Sequence, residues 1–384
     1  MRTLILAVVI LLCAVICTAF GGFTLCAADS GQVVAEAASN AGDTLPAMGR
    51  AAIYFVAALG LCVLFAPIVF DRLHAGRLYS KSLGGNLVIY PGDGGPGIEV
   101  FLDSGASNAS DDNTGLSWDQ ACATLDGAVG KCTASRGDRI IVAARHAEDL
   151  AAADAADLDV AGIHVIGLGH GDMRPTFTYT NAAGEIVIGA DNVRISNIIC
   201  NASVTTVLTA IDIETTNTGA IIDNCRFGVD TAGTDEFNNA ITVGDQCNGY
   251  IIENCEFHQG AAAAVSAIKI DADTDYGTIR GNFVTGDYST ACIVGDEQDD
   301  MIRIEGNTLY NGQVTGIGLN TEPCIELHAN TTGVIKHNIC ICNLATKAAA
   351  IVAADCHLHE SYYNEDESSA GSSGIIGTAS DDDA

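Results

Sequence analysis

The 384-residue chain sets 17 Lys and Arg against 48 Asp and Glu, a formal net charge of −31, at a mean hydropathy of +0.27. A surface this acidic repels phosphate backbones and polyuronates, so recognition of nucleic acid or another polyanion through a basic groove is excluded. The charge is unevenly divided: residues 1–84 hold five basic and four acidic residues, net +1, and the remaining twelve basic and forty-four acidic residues give −32.

In chain order, two apolar runs come first. Leu4 to Cys26 and Ala51 to Phe70 contain no charged residue, and each is about long enough to cross a bilayer as a helix. Arg2 precedes the first run and Arg72, Arg77 and Lys81 follow the second, while the connecting segment carries Asp29, Glu36, Asp43 and Arg50. That asymmetry puts both ends on the cytoplasmic side of a membrane. Two rival readings stay open: cleavage of a signal peptide near Cys17-Thr-Ala19 or Cys26-Ala-Ala28, and helices that pack on protein through Gly21, Gly22, Gly60 and the many alanines. Residues 1–84 are therefore read as a hydrophobic two-helix anchor or assembly segment, meeting lipid through residues 4–26 and 51–70, and 85–97 as a linker.

Residues 98–150 are expected to hold an entry strand and a cap helix. Ser117-Trp-Asp-Gln120 has capping-box spacing, and Trp118, Ala121, Cys122, Leu125, Ala128, Val129 and Cys132 then share one helical face. Such a face needs an apolar surface to cover, which the open end of a sheet assembly supplies. Trp118, the only tryptophan, would anchor the helix there.

Residues 151–359 contain a repeat: Ile195-Ser-Asn197-Ile198-Ile-Cys200, Ile222-Asp-Asn224-Cys225-Arg-Phe227, Ile252-Glu-Asn254-Cys255-Glu-Phe257, Ile279-Arg-Gly281-Asn282-Phe-Val284, Ile304-Glu-Gly306-Asn307-Thr-Leu309 and Ile335-Lys-His337-Asn338-Ile-Cys340. The leading isoleucines are 27, 30, 27, 25 and 31 residues apart, the signature of a solenoid with one copy per coil. Positions one, four and six are apolar or Asn, and the alternation breaks at a small residue or Asn, which predicts strand, tight bend, strand. A later strand follows in each copy, Ala210-Ile-Asp-Ile213 being the first, so two strands per coil are expected. Without hairpin turns or helices of ten residues between copies, the strands must stack in parallel, giving an all-β parallel β-helix. Irregular coil lengths disfavour a left-handed form. Asn282, Asn307 and Asn338 fall in one column, where amides donating to one coil and accepting from the next would satisfy the bend.

Gly115-Leu-Ser117-Trp118, Thr124-Leu, Ala128, Gly137-Asp138-Arg-Ile140-Ile141-Val142, His146-Ala-Glu148 and Ile163-His-Val165-Ile166-Gly167-Leu-Gly169 precede the coils. With them, residues 98 to 358 resemble the right-handed parallel β-helix superfamily typified by pectate lyases, most of all its phage-associated and surface-protein members. The resemblance implies the fold; its members include lyases, hydrolases, epimerases, adhesins and inert shafts, so it implies no one activity.

The outward columns of the later strand are where such a fold would carry chemistry. One reads Asp212, Thr242, Lys269, Val294, Glu326, Val352 and the next Glu214, Gly244, Asp271, Asp296, His328, Ala354. Asp271 and Asp296 would be coil neighbours about 5 Å apart, with Lys269, Glu326 and His328 around them. Paired carboxylates beside a His suit acid/base hydrolysis or a calcium-assisted elimination. The full catalytic sets that the resemblance implies for lyases and hydrolases are not matched, and of the aromatic residues only Tyr250, Tyr276, Tyr288 and Tyr310 lie near the coils as sugar platforms. Asp103, Asn108, Asp111, Asp112 and Asn113 form an oxygen-rich loop that is a candidate for calcium, although it departs from EF-hand spacing. His357 and His359 point one way on a strand but lack a third ligand.

Fifteen cysteines include no Cys-x-x-Cys, and most occupy apolar positions, reading as small hydrophobes rather than a disulfide framework. Cys225 and Cys255 sit at equivalent places in neighbouring coils and could bridge if oxidised. Beyond Glu360 the tail is acidic and low in complexity, except for Gly374-Ile375-Ile376-Gly377, which is placed to cover the last coil. The resulting expectation is a structural or attachment protein of a phage-like particle or cell envelope. It would associate with its own copies, other structural chains or a surface glycan, and would need no cofactor unless calcium. The alternative is a polysaccharide lyase or glycoside hydrolase using Asp271, Asp296, His328, Lys269 and Glu326.

Overall fold

The computed structural model describes residues 97–228, 235–259, 264–312, 322–342, 351–364 and 374–376, all within the unit spanning residues 93–384. The expected membrane helices, and all of the acidic tail past Asn364 except Gly374–Ile376, lie outside the described residues.

The repeat column is also a column in space. Ile195, Ile222, Ile252, Ile279, Ile304 and Ile335 are successive parallel-strand partners. The same column runs back through Val165 and Ile140 to Val100 and forward to Leu358. These strands make a ten-stranded sheet, here sheet I; Cys200, Phe227, Phe257, Val284, Leu309 and Cys340 mark a second ten-stranded sheet II, and Ile211, Ile241, Ile268, Ile293, Ile325 and Ile351 an eight-stranded sheet III. The fold is an all-β parallel solenoid, each coil laying one strand on each sheet. All these marker side chains except Ile351 and the partly buried Leu358 are within 2% of full burial, and the Phe227 and Phe257 rings stack at 4.8 Å and 7°. Burial of each Ile or Phe is worth roughly 1.5–3 kcal/mol, so the wall is held from inside by repeated apolar columns.

Each coil therefore has three strands, not the two expected. The bend between sheets I and II takes only two residues and turns sharply enough to start a separate sheet. Its first residue is left-handed in six coils: Asn197, Asn224, Asn254, Gly281, Gly306 and His337 have φ of 54° to 66°. Asn and Gly tolerate that region at least cost, which is why the alternation breaks where it does.

Its second residue points inward and becomes the expected ladder. Asn282 Nδ2 donates to Asn307 Oδ1 at 3.0 Å, and Asn307 Nδ2 to Asn338 Oδ1 at 2.9 Å. Each amide also accepts a backbone N–H of the preceding coil, those of Cys255, Asn282 and Asn307, and donates to the Ile252, Ile279 or Ile304 carbonyl. Ser361 Oγ ends the series by accepting from Asn338 N at 3.3 Å. In the earlier coils the inward residue is Ile198, Cys225 or Cys255, and the amides sit on the outer bend position, where Asn224 Nδ2 donates to Asn197 Oδ1 at 2.8 Å.

The remaining connections differ in tolerance. Those from sheet III back to sheet I run from three to seven residues, as at 353–355 and 214–220, whereas those from sheet II to sheet III run from four to thirteen, as at 203–206 and 312–324.

At the N-terminal end the long helix is replaced. Trp118–Gln120 is one 3-10 turn, Ser117 makes no side-chain cap bond, and Cys122 instead bridges Leu102 in parallel register. The helix is only Leu125–Val129, capped by Thr124 Oγ1, which accepts from Gly127 N at 3.0 Å. Asp111 accepts from the backbone N–H groups of Ala123 and Thr124 at 2.9 and 3.0 Å and from Thr124 Oγ1 at 2.9 Å. Buried Glu148 accepts from Leu125 N. Backbone pairing of Cys122 with the entry strand outweighs the helical periodicity. Leu125, Ala128 and Val129 still bury against the first coils, and Trp118 packs on Phe101 with ring centroids 4.6 Å apart. At the other end, Gly374–Ile376 pairs antiparallel with Ser361–Asn364, adding the final strand to sheet II.

Eleven described cysteines are all free thiols, Cys225 and Cys255 included, and nine are buried. Burial pushes up the thiols of Cys132, to about 12, and of Cys200, Cys255, Cys292 and Cys324, which leaves them protonated apolar filling rather than nucleophiles or metal ligands.

Replacing Asn307 with Ala strands one N–H, one carbonyl and two neighbouring amides inside the wall. The urea midpoint of Asn307→Ala should fall by an amount equivalent to about 2–4 kcal/mol, whereas Asn330→Ala, at an exposed turn, should leave it unchanged.

Candidate functional site

The outer face of sheet III carries the columns expected from the sequence. Val187, Asp212, Thr242, Lys269, Val294, Glu326 and Val352 are consecutive partners. Lys269 reaches both carboxylates of the adjoining column, with Nζ 2.7 Å from Asp271 Oδ1 and 3.2 Å from Asp296 Oδ2. Partial burial works against its charge, yet the hydrogen bonds to Asp271 and Asp296 outweigh that and raise its pKa. The structure thus brings three of the five candidate residues together, but as a closed ion triplet in which one ammonium serves two carboxylates.

Glu326 and His328 stand apart from it. Burial, then Glu322 and Asp296, raise the Glu326 carboxyl, so it senses the triplet without bonding to it. His328 is exposed, and its Nδ1 accepts from Asn330 N at 3.3 Å within its own turn. Neither supplies a second free acid beside Asp271 and Asp296.

A different part of the same face is electrostatically tense. Asp212 is pushed up to about 6, first by burial and then by Glu185, Glu214, Asp271 and Asp154. Burial and neighbouring carboxylates also raise Glu185 and Asp157, and one Asp157 oxygen is shielded without a hydrogen-bond partner. A carboxyl that keeps its proton near neutral pH is what a general acid requires. Sequence reasoning placed Asp212 in its column but left it out of the candidate set, because its neighbours Asp154, Asp157 and Glu185 belong to coils outside the six-copy repeat.

The sheet I to sheet II corner forms a concavity. Asn254, Arg280, Gly281, Glu305, Gly306, Lys336 and His337 line a shallow groove of about 310 Å³. It exists because Gly281 and Gly306 present no side chain at the bend; a Cβ on Gly281 would lie 2.8 Å from Asn254 Oδ1. Its charges are largely spent in cross-coil pairs, Arg280 with Glu253 at 2.6 Å and Lys336 with Glu305 at 3.0 Å.

The N-terminal oxygen-rich loop serves the chain itself. Asp103 Oδ1 accepts from Gly105 N at 2.9 Å, Asn108 Nδ2 donates to the Asp119 carbonyl, and Asn113 Nδ2 donates to the Asn108 and Ala121 carbonyls. Asp111 holds the helix start, and Asp112 is exposed. The three carboxylates do not gather into one set of ligand atoms. Of the four tyrosines, Tyr250 and Tyr288 are buried inside the solenoid and cannot stack on a sugar, while Tyr276 is exposed.

No protein-family model, no curated protein and no solved structure matches this chain. No helix among the described residues is long and apolar enough to cross a membrane.

The raised Asp212 gives stability a definite pH slope. The unfolded carboxyl loses its proton near pH 4 and the folded one near 6, so this group's contribution to stability is highest below pH 4, declines between 4 and 6, and is level above. Asp212→Asn should remove part of that decline, gaining about 1–2 kcal/mol at pH 8 and nothing at pH 3.5 after discounting for residual solvent. Asp299, also raised to about 6 by burial, contributes a slope of the same sign, and the lowered carboxyls of Asp138 and Glu305 contribute the opposite one. Urea midpoints across pH 3.5–8 check this.

Proposed function

We propose that the chain is a non-enzymatic structural or attachment protein, in which a parallel β-solenoid of the right-handed, pectate-lyase-like kind is displayed from the hydrophobic N-terminal segment. The observation that carries this reading is the repetitive wall: columns, ladder and cross-coil ion pairs recur along it, and the best paired carboxylates are both held by Lys269. A shaft needs only such an ordered, repetitive surface, whereas a glycan-cleaving site needs two free carboxyl groups converging on a substrate. The strongly acidic exterior, −32 beyond residue 84, keeps copies soluble and apart laterally. Assembly is thereby left to the apolar runs at 4–26 and 51–70, through lipid or through other chains, in a virion or a cell envelope.

A lyase or hydrolase is the second reading, favoured by one observation, the proton-holding Asp212 two coils from Lys269.

Electron microscopy of the full-length protein, purified without detergent, should show ordered multi-copy particles, and the same protein lacking residues 1–84 should be dispersed. Dispersed monomers in both cases would overturn the structural reading. So would cleavage of any polysaccharide in a neutral and acidic glycan panel that is lost in Asp212→Asn or Asp271→Asn.

A further inference from the structure

We propose that His337, His359 and Glu360 form a binding site for a divalent transition metal of the zinc class, which ties the last two coils together at the sheet I to sheet II corner. His337 Nε2 lies 3.7 Å and His359 Nδ1 4.0 Å from Glu360 Oε2, and all three ligand atoms fall within 4.8 Å of one another. Among the described residues this is the one group of three His, Cys, Asp or Glu side chains so arranged.

The spacing suits a shared ion better than direct bonding. The two carboxylate contacts are too long for good hydrogen bonds. Zinc bound to nitrogen and oxygen at about 2.0–2.2 Å places tetrahedral donors about 3.4 Å apart, so the three groups need only a small inward movement. Their side chains are about 35% to 55% exposed and free to make it. His359 Nδ1 is itself shielded from solvent and has no hydrogen-bond partner, a nitrogen aimed at the other two donors with nothing to hold. The imidazole rings stand at 90° with centroids 5.8 Å apart, so they approach from different directions instead of stacking. The ammonium of Lys336, the strand partner of His359, is paired with Glu305.

Register builds the site. Lys336 pairs with His359, which sets His337 and Glu360 at equivalent corner positions of successive coils. Both are left-handed, with φ of 55° and 42°, where the two preceding coils have Gly306 and Gly281. Two imidazoles and one carboxylate are the donors of zinc, cobalt, nickel or iron(II), and are poor donors for calcium, which takes oxygen. Three protein donors leave a coordination position for water. The ion would join Glu360 and His359, on the final strand pair, to the coil before, closing the end where a solenoid is most prone to fray.

The test uses the full-length chain under reducing conditions, with zinc chloride and cobalt chloride as probes. Wild type should bind one more zinc than His337→Ala/His359→Ala/Glu360→Ala, and zinc should raise its thermal midpoint but not that of the variant. Cobalt should give visible d–d bands without thiolate charge-transfer absorption, which separates this site from the cysteines. His337→Gly, which copies the corners of the two preceding coils and relieves the left-handed backbone, should remain folded yet bind zinc about tenfold or more weakly. His357→Ala should bind as wild type does. Equal zinc stoichiometry and equal thermal shift in wild type and the triple variant would overturn the proposal, as would undiminished binding by His337→Gly.

Discussion

The two-residue corner between sheets I and II is the constraint on which the rest of the molecule depends. A coil that must close within 25 to 31 residues and return in register cannot spend a loop at every vertex. It therefore places one residue in the left-handed region and makes the next point inward, and the cost falls on residue identity. The chain meets that demand in two ways. In the coils of Asn197, Asn224 and Asn254 the outer residue is the amide and the inner one is Ile or Cys; from Gly281 onward the outer residue is Gly or His and the inner one is Asn. The amide moves from outside the wall to inside it between Asn254 and Asn282, and a second hydrogen-bonded series begins on the other side of the backbone.

The same repetition governs the electrostatics. A parallel wall puts like positions about 4.8 Å apart, so any acidic column repels itself unless a cation intervenes. Where Lys269, Arg280 or Lys336 occupies a strand, carboxylates of neighbouring positions gather on it. Where none does, as at Asp212 and Glu185, a carboxyl holds its proton to higher pH. The charge state of the outer face is thus decided by where the few basic residues fall.

The inward columns and the Asn ladder were legible in the chain because the same residue types recur at the same place, and recurrence is what register conserves. The third strand was legible only as the far side of the tight bend, and a two-residue corner leaves so little gap that the two sides count as one strand. Coils before Ile195 escaped the repeat for a related reason: the corners after Val142 and Gly167 run to four and eight residues and lack the Asn. The cap helix was over-read, since Ala121 and Cys122 satisfy a helical stripe and a strand equally, and the pairing of Cys122 with Leu102 decided between them. For the candidate sites, the outward columns of sheet III could be written down from spacing, but that Lys269 would close over Asp271 and Asp296 depends on side-chain reach. His337 and Glu360 are separated by a whole coil, and only the register beside His359 makes them neighbours.

The three vertices of the solenoid differ in the length they carry. The sheet I to sheet II vertex runs from one to eight residues and the sheet III to sheet I vertex from three to seven, while the sheet II to sheet III vertex carries four to thirteen with the strands on either side still paired. Insertions there cost only loop-closure entropy, about 0.6 kcal/mol for each doubling of length. That vertex is a ridge on which new peptide segments can be spliced coil by coil at the solenoid's own spacing, so a ruler of regularly placed epitopes could be written along one side without rewriting the core.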